Sequence, residues 1–363
     1  MADSGASQAG LISINDDARR PRDKRAASPV ARGLVVHAVI RSALLLASLL
    51  LSALVTGGVG ATAVAGPVVV DATEVAAAMA RGAIVWDARD LSAFRQAHLP
   101  GAVHVSEAER ALRLPTVQEF SELVRVERNF SDAGLDLTRE IVVYAHRGSP
   151  LAYAGFAAAQ YFGARRVVVF HDGIDGWHEA GRPLEAGDTR RPPVTVRIAP
   201  DPRLSVTTDE LKARLGRADV QIVDARTPAE FSGRDVRAPR GGHVPGAVSI
   251  PYEWNWVDPD TAVKLARRQA TDTRGMALKP VDDLKRLYAG LDPTKETIVY
   301  CQTGGRASET FGVLKELGFE KVRLYKLSWS AWAARPDTPV ETGAGPQVCC
   351  ATGPATADQR PVP

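Results

Sequence analysis

Cysteine is almost missing from this sequence: Cys301, Cys349 and Cys350 are the only three in 363 residues. Three thiols cannot build a disulfide framework for so long a chain, nor a four-thiolate metal site, and no histidine cluster is spaced to complete one. No metal and no other cofactor is therefore expected. Basic excess is missing too, once the chain is divided. Residues 1–41 carry seven Lys/Arg against four acids, which accounts for the whole formal net charge of +3. The remainder is neutral, so nothing in it suggests nucleic acid as a partner. What is present is a globular composition, 45% hydrophobic and 24% charged, which excludes collagen-like, fibrous and fully disordered chains. The length suggests two domains or three.

The first 65 residues read as an address. A basic stretch ends at Arg41, an uncharged run rich in leucine follows from Ser42 to Val55, and Ala63-Val64-Ala65 offers small residues at a cleavage position. Basic segment, apolar segment and small-residue site make a secretory signal. The competing reading is an uncleaved anchor, because Ser42 to Val70 is uncharged and long enough to span a bilayer. Either reading sets the body outside the cytoplasm, periplasmic or secreted in the first case and membrane-anchored in the second.

The body carries one pattern twice. Ala83-Ile-Val-Trp-Asp87-Ala-Arg89 is an apolar strand running into a charged end, followed by Phe94, the turn His98-Leu-Pro-Gly-Ala102, a second strand ending at Tyr144 and a third at Arg166–Phe170. Val220-Gln-Ile-Val-Asp224-Ala-Arg226, Phe231, His243-Val-Pro-Gly-Ala247, Ile298-Val-Tyr300 and Lys321–Tyr325 repeat the order. The Asp-Ala-Arg copies lie 137 residues apart and the His-x-Pro-Gly-Ala copies 145 apart, so eight extra residues fall between Phe231 and His243. Apolar strands alternating with helical stretches predict parallel α/β units. The expected division is a signal or anchor at 1–65, a first copy at 68–186, a linker at 187–200, a second copy at 201–342 and a disordered tail at 343–363. Capping boxes open both copies, Asp71-Ala-Thr-Glu74 and Thr207-Thr-Asp-Glu210.

Chemistry concentrates in one loop, Cys301-Gln302-Thr303-Gly304-Gly305-Arg306. It joins the C-terminal end of a strand to a helix, the edge where open α/β sheets bind ligands. Two glycines allow a tight turn whose N–H groups point at the sulfur. Those dipoles, the helix start and Arg306 all favour a thiolate. The competing reading is a buried inert cysteine.

Taken together, these motifs resemble the tandem-domain rhodanese family of sulfurtransferases over about residues 68–342. The residues that carry the likeness are Val223-Asp-Ala-Arg226, Glu230-Phe231, Gly242-His-Val-Pro-Gly-Ala247, Val299-Tyr-Cys-Gln-Thr-Gly-Gly-Arg306, and Trp329 with Trp332. The resemblance implies two tandem α/β domains, each a small parallel sheet flanked by helices. It implies that Cys301 is a nucleophile that takes the outer sulfur of thiosulfate and passes it to cyanide or a thiol, with Gln302 to Arg306 as the persulfide cradle. The partners so implied are a small-molecule sulfur donor and a thiophilic acceptor. Ala145 stands in place of Cys301 in the first copy, which is then catalytically silent and serves as a wall of the cleft.

The loop also departs from its relatives. The animal thiosulfate enzymes have Cys-Arg-Lys-Gly-Val-Thr and the mercaptopyruvate enzymes Cys-Gly-Ser-Gly-Val-Thr, and Lys326-Leu327-Ser328 replaces an Asp-Gly-Ser. Positive charge has moved to Arg306, which is left to meet an anionic donor. Thiosulfate is favoured over mercaptopyruvate. A phosphatase is disfavoured because four residues, not five, separate Cys301 from Arg306. A non-catalytic persulfide carrier stays open as the reading from another class. Asp224, Arg226 and His243 are read as architectural, since Asp87, Arg89 and His98 recur in the silent copy. Glu230 is placed in the same network, although Ala93 occupies its place in the first copy. Trp254 and Trp256 line the cleft or simply pack. Cys349 and Cys350 relay sulfur, pair with each other or have no role.

Overall fold

The computed structural model describes residues 66–105, 120–189 and 191–345. The signal or anchor segment and the Cys349–Cys350 pair lie outside the described residues. Among the described residues no helix is long and apolar enough to cross a membrane.

The apolar runs become short strands. In the first copy they are β1 (Ile84–Asp87), β2 (Val103–His104), β3 (Glu140–Tyr144) and β4 (Arg166–Phe170), and the helices are α1 (Ala72–Ala80), α2 (Leu91–Gln96), α3 (Phe120–Asp132), α4 (Leu151–Tyr161) and α5 (Gly173–Glu179). The second copy has β5 (Val220–Asp224), β6 (Val248–Ser249), β7 (Glu296–Tyr300) and β8 (Lys321–Leu324), with helices α6 (Thr208–Lys212), α7 (Pro228–Ser232), α8 (Thr261–Ala266), α9 (Val281–Leu287), α10 (Gly305–Glu316) and α11 (Ser328–Ala334). The sheets run β2-β1-β3-β4 and β6-β5-β7-β8, every pair parallel. Their central strands are buried on both faces, which is why they read as unbroken apolar runs rather than alternating ones.

Both expected capping boxes form. Asp71 Oδ1 accepts from the N–H groups of Thr73 and Glu74 while Glu74 reaches back to the N–H of Asp71, and Thr207 and Glu210 exchange the same reciprocal pair. The segment at 187–200 lies against the first copy: the N–H groups of Val194 and Ala199 donate to Ser131 and Phe162 carbonyls. At the other end, Gly343 donates to the Ser232 carbonyl, so the chain is held to the body at least that far.

A glycine on α10 lets the two halves meet against α4. Gly312 of α10 packs so closely on Tyr153 that an added Cβ would lie 2.5 Å from its ring, and the rings of Phe156 and Phe311 meet tilted by 58° with centroids 6.2 Å apart. Beside them His171 is buried between Tyr153 Oη at 3.1 Å and the Met276 carbonyl at 2.8 Å. A carbonyl only accepts, so Nε2 carries the proton and Nδ1 takes the tyrosine hydroxyl. Burial holds this histidine below its ordinary range, keeping it neutral.

The eight-residue insertion has a structural task. Arg240 donates to the carbonyls of Trp332, Ala333 and Thr338 at 2.9, 3.0 and 2.8 Å, and its own carbonyl accepts from Trp329 Nε1 at 3.0 Å. The last turn of α11 leaves such carbonyls without helical partners, and the arginine satisfies them.

Candidate active site

Cys301 is the first residue after β7 and sits at the foot of α10, 1% exposed. Its N–H donates to Ser328 Oγ at 3.1 Å, and its carbonyl accepts from Trp329 N at 3.0 Å. The loop then doubles back, and Gly304 N–H donates to Cys301 Sγ at 3.1 Å. Gly304 has φ of 89° and a Cβ there would meet the Lys326 carbonyl at 2.5 Å, so only glycine fits. Gly305 makes no such close approach; it opens α10 and leaves its own flank clear. Gln302 reaches across to the insertion, donating to the Arg237 carbonyl at 3.0 Å, and its own carbonyl accepts from Ser330 Oγ at 2.8 Å. Thr303 is exposed.

Arg306, expected from the sequence to meet an anionic donor, already has a carboxylate partner. Its two terminal nitrogens bond both oxygens of Glu230 at 2.7 Å each. Burial alone would raise the Glu230 carboxyl; the bonds from Arg306 outweigh it and bring the group down to about 2. Arg237 approaches the same carboxylate at 3.8 Å. The assignment of Glu230 to the Asp224–Arg226 network is corrected accordingly. Its bonded partners are Arg306 and Thr227, where it also completes the capping box of α7. Ala93 lacks this role because Asp90 caps α2 alone, accepting from Ala93 N at 2.8 Å.

Asp224, Arg226 and His243 form a frame that the first copy reproduces. Arg226 pairs with Asp224 at 2.6 Å, donates to the Gly242 carbonyl and lies 4.6 Å from the Trp329 ring. Arg89 pairs with Asp87 at 2.6 Å. His243 stacks on Phe231 and His98 on Phe94, each with 9° between rings, and each Nδ1 bonds the carbonyl of the residue it stacks on. Trp256 is packing: 1% exposed, its Nε1 donates to Glu309 Oε1 at 3.0 Å. Trp254 is partly buried against the central core. Among the described residues no cluster of three His, Cys, Asp or Glu could hold a metal ion.

Sequence reasoning missed three residues near this loop. Ser328 holds the Cys301 backbone. Glu309 on α10 is fully buried, with burial pushing its carboxyl well up and its Oε2 unpartnered. Glu253, in the turn after β6, is described below. An available signal was position: Ile250-Pro-Tyr-Glu-Trp-Asn-Trp256 follows a strand at the sheet's ligand-binding edge and sets an acid between aromatic residues.

The rhodanese-like domain family model matches residues 71–180 and 207–335. The chain belongs to that family and carries its domain twice. It is similar to the thiosulfate sulfurtransferases of Azotobacter vinelandii, 32% identical over 71% of this chain and 90% of that protein, and of Pseudomonas aeruginosa, 30% identical over 76% and 97%. With sulfurtransferases as its relatives, the protein is a rhodanese-type transferase. Among solved structures it resembles the anaerobic ergothioneine biosynthesis enzyme from Chlorobium limicola in complex with trimethyl histidine. That match has a TM-score of 0.62 and 22% identity, covering 76% of this chain and 70% of the other, a likeness of fold.

Proposed function

We propose that the protein moves the outer sulfur of thiosulfate to cyanide or a thiol through a persulfide on Cys301. The Cys301 thiolate attacks the outer sulfur; that sulfur's bond to the sulfonate breaks, and sulfite leaves with the electron pair. The acceptor then attacks the outer sulfur of the persulfide, and the Cys301 thiolate leaves. Two negative charges arrive on the donor and two depart on sulfite, so the first step needs no proton. The observation that carries the reading is the Gly304 N–H aimed at Cys301 Sγ at 3.1 Å, at the start of a helix. That N–H and the helix end stabilise sulfur anions, both the thiolate and the persulfide. The relatives' names supply the donor. The basic segment, apolar run and small-residue site at 1–65 support action outside the cytoplasm, and an intact mass beginning at residue 66 would mark a cleaved signal.

The test is thiocyanate formation from thiosulfate and cyanide, with Cys301→Ser beside the wild type. Turnover in the wild type and a loss of at least about a thousandfold in the variant is expected, since no hydroxyl replaces a thiolate here. Turnover with mercaptopyruvate but not thiosulfate would overturn the donor. A persulfide that forms once and never turns over would mark a carrier.

A further inference from the structure

Glu253 is an acid that the reaction above does not use. It lies in the 3-10 turn Tyr252–Asn255 after β6, and that turn is fixed from three sides. Tyr252 N–H donates to the Ala225 carbonyl just past β5, Asn255 accepts from Tyr288 just past α9, and Asn255 and Trp256 donate to Glu309 of α10. The Glu253 Oε2 atom is buried and has no hydrogen-bond partner. The charges that act on it are Arg306, which closes the Cys301 loop, and Glu230, the carboxylate paired with Arg306. Arg306 attracts it, while Glu230 opposes its ionisation; Glu309 is held neutral by burial. Tyr252 next to it feels both Cys301 and Arg306. Arg237 stands on the far side of Glu230, and Lys279 is tied to the Trp254 carbonyl.

The arithmetic of charge makes this acid decisive. Arg306 and Glu230 cancel each other, so the loop keeps little positive charge to spare for an anion. A second carboxylate beside it would leave the surroundings of a thiolate net negative, in a site of low dielectric where charges act strongly. We propose that Glu253 determines the charge of the sulfur donor that Cys301 accepts: protonated, it leaves the loop open to anionic donors; ionised, it turns them away in favour of neutral reagents. This rests on Cys301 as the reacting group. Burial pushes the Glu253 carboxyl up to about 7, so the change falls in the physiological range, with the neutral form below it and the anion above.

The test compares two alkylating reagents at Cys301, anionic iodoacetate and neutral iodoacetamide, quantified on the Cys301 peptide by mass spectrometry. Both consume the same thiolate, so their rate ratio cancels the thiol's own titration and reports local charge. In the full-length wild type the iodoacetate-to-iodoacetamide ratio is expected to fall about threefold or more from about pH 6 to about pH 8.5, as one buried charge develops. In Glu253→Gln, with its fold checked by thermal melting, the ratio stays flat. A flat ratio in the wild type overturns the proposal, as does an equal fall in the variant or a Cys301 that reacts with neither reagent. Thiosulfate turnover on the same samples separates the two claims. A titrating ratio without turnover sinks the thiosulfate donor and leaves the role of Glu253 standing.

Discussion

In both copies an aspartate and an arginine two residues on close the first strand, a histidine stacks on the phenylalanine of the following helix, and a tyrosine hydroxyl accepts a backbone N–H across the sheet edge. The last bond is 3.0 Å long in each, Leu99 N to Tyr144 and Val244 N to Tyr300. The copies part after the third strand. Ala145 is followed by His146 and by Arg147, which is pinned by Asp172 at 2.8 Å and Glu179 at 2.7 Å. Cys301 is followed by a loop that returns an N–H to its own sulfur and by Arg306, pinned by Glu230. The frame thus belongs to the fold, and the nucleophile with its loop belongs to the second copy alone.

The hardest way to break that comparison is to move the nucleophile. Ala145→Cys in a Cys301→Ser background restores the thiol to the first copy and nothing else. Recovery should stay below about a thousandth of wild-type thiocyanate formation, because a thiol without donors aimed at it gains little thiolate character. Recovery to within tenfold would mean that the shared frame, not the loop, holds the anion.

A smaller effect sharpens the role of the acid found in one copy only. Glu230 is fully buried and titrates near 2 instead of its ordinary 4.5. A depressed carboxyl stabilises the fold above about pH 4.5, and that contribution is lost as pH falls toward about 2. Glu230→Gln should therefore cost on the order of 3 kcal/mol at neutral pH and progressively less in acid, with turnover down at least tenfold as Arg306 is released. Asp90→Ala at the matching helix start removes only an exposed cap and should cost less than the loss of the buried Glu230 pair. Chemical denaturation at about pH 7 and about pH 3 reads both; equal costs would return Glu230 to a plain capping role.

Much of this was legible before any coordinates. The tandem sheets follow from apolar runs of four or five residues at repeated spacing. The architectural reading of Asp224, Arg226 and His243 follows from their recurrence beside Ala145. What stayed hidden depends on tertiary placement. Glu230 and Arg306 lie 76 residues apart, and only the folded chain brings them together. Glu253 and Glu309 are each one acid in an otherwise ordinary segment, and their burial cannot be read from neighbours in sequence. Arg240 looks like a charge in a glycine-rich insertion until it is seen capping α11.

The finest difference between the copies is Ser328. Its backbone has φ of 57°, one of two non-glycine residues in the left-handed region among those described, and its counterpart at the start of the last helix of the first copy is Gly173, with φ of 54°. The correspondence is fixed by the bonds after them: Ile174 N donates to Ala145 O as Trp329 N donates to Cys301 O. A side chain in this conformation costs roughly 1–2 kcal/mol. The second copy bears that cost where the serine hydroxyl accepts the Cys301 N–H and donates to the Tyr325 carbonyl at 2.9 Å. Ser328→Gly relieves the backbone and leaves a buried N–H without its acceptor, a loss of about 1–3 kcal/mol, so the net change in stability should lie between about 1 kcal/mol gained and about 2 kcal/mol lost. Turnover should nevertheless fall about threefold to tenfold, because the base of the loop is no longer fixed and a small misplacement of a nucleophile is felt in rate. Melting temperature and kcat/KM measured side by side decide it. A variant as active as the wild type would show that the serine serves the fold alone, and the last distinction between the copies would lie in the loop.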